Sequence, residues 1–261
     1  MPLAIHLAAV TKVYRVPHRR PFLARALLRG VLPRPAGEAP AAALREIDLA
    51  VERGESVGIV GANGSGKTTL LSLVAGTMHP TRGTVRVEGR VGPLLELGAG
   101  FHPDLTGYEN LQLNAALLGL TRAEIRARLA SIVDFAEIDE HLHAPVRTYS
   151  TGMIARAGFA VLAHVDPEIL LVDEVLAVGD ARFRAKCERT MEGFRARGIT
   201  QLLVSHNLPL LERLCGRTIW LDGGRIRADG PPAAVLARYR EEQGAAGESR
   251  IRPDRCPPPL A

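Results

Sequence analysis

Eight consecutive residues, Gly61-Ala62-Asn63-Gly64-Ser65-Gly66-Lys67-Thr68, satisfy the phosphate-binding pattern G-x-x-x-x-G-K-[ST] at every fixed position. The chemistry this implies is anion capture. Glycines let backbone N–H groups close on phosphate oxygens that a Cβ would hold off. Lys67 is expected to reach the β- and γ-phosphates of a nucleotide, and the Thr68 hydroxyl to help hold Mg2+. Downstream, the apolar run Ile169–Val172 ends in Asp173-Glu174. Asp173 suits the orientation of Mg2+ through its water shell. Glu174 is one residue on, points elsewhere, and suits the polarisation of an attacking water. A second apolar run, Thr200–Val204, leads into Ser205-His206, and His206 is the candidate for contact with the γ-phosphate and that water. Each feature alone also reads as ordinary structure: a Gly-rich turn, a surface acid pair, a histidine at a strand end. Their order along the chain favours one phosphoryl-transfer site.

These residues need a scaffold that delivers them to one edge. Ser56–Val60 reads as a buried strand feeding the Gly-rich turn, and an apolar helical run from Thr69 through Val74 follows it. Further strands are expected at Ile5–Val10, Leu44–Val51, Thr84–Glu88, Arg90–Leu95, Ile169–Val172, Thr200–Val204, Thr218–Leu221 and Arg225–Ala228. Asp222-Gly223-Gly224 reads as a hairpin turn. A mostly helical stretch spans about Gly107 to Ile138, and helices are expected to about His164, over Ala181–Arg197 and from about Pro232 to Tyr239. Strands alternating with helices imply an α/β architecture with a mostly parallel sheet. Residues 107–165 are expected to form a separate helical lobe, and the Gly-, Arg- and Pro-rich tail from Glu241 to be disordered.

Composition narrows the class. The chain has 261 residues, 46% of them hydrophobic, enough for a sizeable core. No apolar run approaches the roughly 20 residues a membrane-spanning helix needs, and Met1–Val10 lacks the pattern of a signal peptide. Cys187, Cys215 and Cys256 are scattered without metal-ligand spacing, as in a reduced cytoplasmic protein. The net charge of +5 fits either an anionic partner or simply an Arg-rich composition.

The P-loop at Gly61–Thr69, the pair Asp173-Glu174, the pair Ser205-His206 and a Ser-x-Gly turn between them resemble the ATP-binding-cassette ATPases across residues 1 to about 240. The resemblance implies a single nucleotide-binding domain: a P-loop core, an N-terminal antiparallel β subdomain and a helical subdomain. It implies ATP and Mg2+ as cofactors, and a homodimer in which the P-loop of one copy and the signature turn of another sandwich the ATP. The family signature commonly reads Leu-Ser-Gly-Gly-Gln, where this chain has Tyr149-Ser150-Thr151-Gly152-Met153. On that alignment Ser150 and Gly152 touch the γ-phosphate held by the opposite copy, and Asp180 falls at the D-loop aspartate. Tyr14 falls at the aromatic that stacks on adenine, and Gly61, Asn63, Gly64, Ser65, Gly66, Lys67, Thr68 and Thr69 form the phosphate cradle.

The departures point to a branch. The Tyr-Ser-Thr-Gly-Met turn, Asp173–Asp180 (Asp-Glu-Val-Leu-Ala-Val-Gly-Asp) and the segment from Leu95 to Gly107 resemble exporters of O-antigen, teichoic acid and capsule. Most of the family carries a glutamine in the Leu95–Pro103 region; here Glu96 is the nearest polar residue, within one position of register, and is the candidate there for contact with the metal. The stretch 16–43 is basic and amphipathic, with Arg19, Arg20, Arg25, Arg29 and Arg34 beside Phe22, Leu23 and Leu27, suited to a lipid headgroup surface or a membrane partner, or else to a solvated loop. The chain as given leaves no length after its last helix for a carbohydrate-binding domain, so selection by a terminal sugar cap is not expected.

The expectation is therefore an ATPase subunit at the cytoplasmic face of the inner membrane, bound to a separate transmembrane permease and powering export of a lipid-linked polysaccharide, with no nucleic-acid partner. Two alternatives share the motifs. One is export of a lipid or drug. The other is a soluble ATPase acting on ribosomes or DNA, which in such relatives usually comes with tandem cassettes or a long coiled coil.

Overall fold

A computed structural model describes residues 2–14, 41–94, 100–173 and 180–250, with the side chains of 41 and 244–250 left undescribed. In chain order the elements are β1 (Leu3–Tyr14), β2 (Ala41–Glu52), β3 (Ser56–Val60), α1 (Lys67–Val74), β4 (Arg82–Val87), β5 (Val91–Leu94), α2 (Gly107–Leu117), α3 (Arg122–Ala136) and α4 (Thr151–Ala163). They continue as β6 (Ile169–Asp173), α5 (Ala181–Ala196), β7 (Thr200–Val204), α6 (Leu208–Leu214), β8 (Arg217–Asp222), β9 (Arg225–Gly230) and α7 (Pro232–Arg250).

Two sheets divide the strands. The larger runs β5-β6-β7-β3-β8-β9, parallel except for the β8–β9 hairpin. All five residues of β3 and of β7 are buried, as continuous apolar runs in a parallel sheet covered on both faces must be. The smaller sheet, β2-β1-β4, is antiparallel. This is the α/β arrangement with an N-terminal antiparallel subdomain that the sequence implied. β4 and β5 belong to different sheets, with Gly89 (φ 134) in the link between them.

The helical lobe packs α2, α3 and α4 around Leu111, Ala115, Ile125, Leu129, Ile132 and Val161. The expected mostly helical stretch is two helices, divided where Gly119 (φ 92) turns the chain after α2. Thr106 and Glu109 form a capping box on α2, and Thr121 and Glu124 form another on α3. α4 is apolar around most of its circumference. Phe159 and Leu162 face the core under the large sheet, while Ala157, Ala160 and Val161 face the lobe. Its single charged residue is Arg156.

Three differences from the sequence reading stand out. β2 begins at Ala41, so residues 41–43 are strand rather than insertion; residues 16–40 lie outside those described. α7 continues past Tyr239 to Arg250, taking in the start of the expected disordered tail. Glu241, Glu242, Gln243 and Ala245 are good helix formers, and Arg227 pairs with Glu242. The short α6 had not been expected. No helix among the described residues is long and apolar enough to cross a membrane.

Candidate nucleotide site

The cradle forms where β3 ends. Gly61–Gly66 turns the chain from β3 into α1, and Gly66 caps the helix in the left-handed region at φ 107. A Cβ on Gly66 would lie 2.6 Å from the Ala43 carbonyl oxygen, and one on Gly61 would lie 2.2 Å from that of Leu221. At both positions only hydrogen fits, because backbone cannot yield. The Gly224 N–H donates to the Ser65 carbonyl at 3.2 Å, fastening the β8–β9 hairpin to the loop.

Lys67 is 8% exposed, and its ammonium donates to the carbonyls of Gly61 (2.9 Å) and Ala62 (3.1 Å). The positive charge is thus folded over the mouth of the loop. Thr68 Oγ1 donates to Asp173 Oδ2 at 2.8 Å, which ties the end of β6 to the first turn of α1. Around these groups lies a cleft of about 570 Å3 lined by Asn63, Gly64, Gly66, Lys67, Thr68, Thr69, Asp173 and Ala43.

At its rim the Tyr14 hydroxyl is 3.4 Å from Thr69 Oγ1 and donates to Met78 Sδ at 3.2 Å. Tyr14 is 39% exposed, with Lys12 Nζ 5.6 Å from the ring centroid. β7 lies between β6 and β3, with Val204 opposite both Asp173 and Ile59. His206, two residues beyond, therefore sits on the same strand-end edge as Asp173 and the P-loop. The fold thus brings Tyr14, the P-loop residues, Asp173 and His206 to one edge.

Ser150, Gly152 and Asp180 do not line this cleft. Ser150 is the N-cap of α4, its Oγ accepting from the Met153 N–H at 3.2 Å, with Gly152 in the first turn. Asp180 is the N-cap of α5 and accepts from the Phe183 N–H at 2.8 Å; that hydrogen bond, with Arg156 beside it, holds its carboxyl below the usual range. Glu174 and Glu96 lie outside the described residues.

Two residues at or near the site had escaped sequence reading. Ala43 carries β2 against the P-loop, and Arg156 ion-pairs with Asp180. Ala43 carried no signal, because it sits in an alanine-rich stretch. Arg156 did carry one, as the lone charge on an apolar helix.

Residues 44–177 match the ABC transporter family. The O-antigen export system ATP-binding protein RfbB of Klebsiella pneumoniae is 49% identical over 199 residues, 76% of this chain and 81% of that protein. RfbB of Myxococcus xanthus is 51% identical over 199 residues, but the chain covers only 46% of its length. The teichoic acids export ATP-binding protein TagH of Levilactobacillus brevis is 43% identical, with 55% of its length covered. Among solved structures, a dimeric ATP-binding cassette in a post-hydrolysis state with ADP and Pi superimposes with a TM-score of 0.71 at 22% identity, over 87% of this chain and 98% of that one. The fold is that of an ATP-binding cassette, and the chain belongs to the ABC transporter family.

Proposed function

We propose that this chain is the ATP-hydrolysing subunit of an exporter that moves a lipid-linked polysaccharide across the cytoplasmic membrane through a separate permease. The observation that carries the ATP reading is the Thr68–Asp173 hydrogen bond of 2.8 Å at the lip of the glycine cradle. It puts a hydroxyl and a carboxylate side by side, the hard oxygen donors that Mg2+ takes. Among the described residues no cluster of three or more His, Cys, Asp or Glu forms a metal cage. Thr68 and Asp173 would hold Mg2+, which would supply charge neutralisation for phosphoryl transfer. The polysaccharide cargo rests on relatives 40–51% identical that are named for O-antigen and teichoic acid export.

Each residue has a task in this reading. Backbone N–H groups of Asn63–Thr68 grip the phosphates, and Lys67 supplies charge to them. Thr68 and Asp173 place the cation, Thr69 adds a hydroxyl to the phosphate grip, and Tyr14 stacks on the base. Glu174 takes the proton of the attacking water while His206 orients it at the γ-phosphate. Phosphoryl transfer is mostly positioning and charge neutralisation, so these placements supply most of the catalysis. Ser150, Gly152 and Asp180 lie outside the cleft of their own chain, which supports their serving the cleft of a second copy. Closure of the two copies moves the permease at the cytoplasmic face, and hydrolysis reopens them.

The test pairs two measurements on one set of variants. The purified chain should hydrolyse ATP, and Lys67→Ala should not. In a host lacking its own exporter ATPase, the intact chain co-expressed with its permease should restore surface polysaccharide. ATPase activity without restored polysaccharide would remove the cargo assignment while leaving the catalytic one.

A further inference from the structure

The residue before the signature serine is the tyrosine at 149, and its environment is specific. Tyr149 is 8% exposed and its hydroxyl donates to the His141 carbonyl at 2.7 Å. Its ring meets the His141 ring edge-on, with centroids 6.4 Å apart. A Cβ placed on Gly107, the first residue of α2, would lie 1.9 Å from the Tyr149 hydroxyl oxygen and 2.9 Å from Cζ. The tyrosine therefore occupies space that exists only because residue 107 is glycine.

The surroundings give neither side room to yield. Val146 N–H donates to the Leu105 carbonyl and Arg147 N–H to that of Pro103, both at 2.9 Å, so the segment entering α2 and the segment entering the signature turn are zipped together. Asn110 is fully buried; its side chain accepts from the His102 N–H at 2.6 Å and donates to the carbonyls of His102, Leu105 and Thr106. The capping box of Thr106 and Glu109 fixes the first turn of α2. Ser150 follows Tyr149 directly and caps α4 through its Oγ.

We infer that Tyr149, seated against Gly107, is a positioning residue that sets where Ser150 is presented to the nucleotide of a second copy. The inference rests on the proposed role of Ser150 in a site shared between copies. The chain of contact is short. Tyr149 is clamped by α2 and by His141, and the next backbone atoms are those of Ser150. Displacing the ring by the width of one methyl group displaces the serine. A misplacement of about 1 Å in a catalytic array can cost on the order of 100-fold in rate. A tyrosine serving only the core would, when disturbed, lower stability and leave the catalytic step of the folded protein alone.

The test uses the full chain, with ATP affinity, kcat, KM, melting temperature and dimerisation on a non-hydrolysable ATP analogue as readouts. Gly107→Ala should keep ATP binding by the monomer but lower kcat about tenfold or more, with KM within about twofold, and weaken dimerisation. Combining it with Tyr149→Leu, which empties the contested space, should lower kcat no more than about threefold below Tyr149→Leu alone, because both changes act at one contact. A wild-type kcat in Gly107→Ala, or losses that multiply in the double variant, overturns the inference. Should Gly107→Ala fail to fold, Tyr149→Phe decides. It keeps the ring and loses only the bond to His141, and it should lower kcat about threefold or more without a matching fall in ATP affinity; unchanged kcat overturns the inference. Ser150→Ala separates the two layers. Normal dimerisation and kcat in Ser150→Ala would remove the shared site itself, whereas a defect there beside a normal Gly107→Ala would remove only the tyrosine's role.

Discussion

Arg156, one and a half turns into α4, is ion-paired with Asp180, the N-cap of α5. Its other amino group reaches Glu137 Oε2 at 3.2 Å, and Lys186 Nζ reaches Glu137 Oε1 at 3.2 Å. The guanidinium also lies 5.0 Å from the centroid of the Phe183 ring. One side chain thus joins the end of α3, α4 and the helix α5 that follows β6. Glu137 takes part at some conformational cost, since it is a non-glycine residue at φ 52.

Replacing Arg156 by Met should therefore do more than remove a surface charge. The Arg156 side chain is only 18% exposed, and its loss leaves Glu137 and Asp180 each without one partner. The expected result is a clearly lower urea midpoint at an unchanged slope. An unchanged midpoint would show that the pair behaves like an ordinary surface bridge.

The same network predicts a pH dependence. The Asp180 carboxyl is held low first by the Phe183 N–H and then by Arg156; that of Glu137 is held low first by its hydrogen bond to Lys186. A carboxyl whose folded pKa is depressed adds stability above its unfolded value of about 4, and that stability disappears as pH falls through the folded value. Melting temperature should be flat from pH 7 to about 5 and fall below about 4. The fall should be smaller in the Asp180→Asn and Glu137→Gln double variant, as differential scanning calorimetry would show.

At the nucleotide cleft, Lys67→Ala removes the charge folded over the loop. Charge-assisted hydrogen bonds are worth about 1.5–3 kcal/mol, so ATP affinity should fall about 10- to 100-fold by titration with a fluorescent analogue. Glu174→Gln should leave that affinity intact, abolish turnover and leave the ATP-bound dimer long-lived on gel filtration. Unchanged steady-state hydrolysis would remove Glu174 as the base.

The thiols give a contrasting expectation. Burial pushes both Cys187 and Cys215 up to about 12. At pH 8 neither is a thiolate, so both should resist alkylation in the native protein and react once it is unfolded in urea, as counted by mass spectrometry. Modification of either in the folded chain at a rate comparable to free cysteine would contradict their burial.

Much of the strand-end edge was legible because its signals are local. The P-loop is contiguous, and β3, β6 and β7 are short unbroken apolar runs; β7 has the boundaries the sequence predicted, Thr200–Val204. What eluded sequence reading depends on pairs distant along the chain. Nothing near Ala43 announces that its carbonyl would lie 2.6 Å from a Cβ on Gly66. The link between Arg156 and Asp180 spans the end of one helix, a strand and the start of another. α6 went unseen at seven residues, although Asn207 as N-cap and Pro209 in the first turn mark its start. Residues 241–250 were read with the tail because its glycines outweighed its helix formers, whereas α7 is already nucleated by the buried Val235, Leu236 and Tyr239; residues 251–261 lie outside those described.

The pairing of Tyr14 with Ala41 across β1 and β2 has a consequence for how this fold can diversify. The chain departs and returns at adjacent points of one ladder, and loop-closure entropy grows only slowly with length. Segments of very different size and chemistry can be exchanged at that seam without altering the register of either strand. Ala43, two residues inside the seam, borders the phosphate cradle. A change in the β1–β2 ladder at this seam is therefore transmitted to the phosphate cradle, because Ala43 belongs to both.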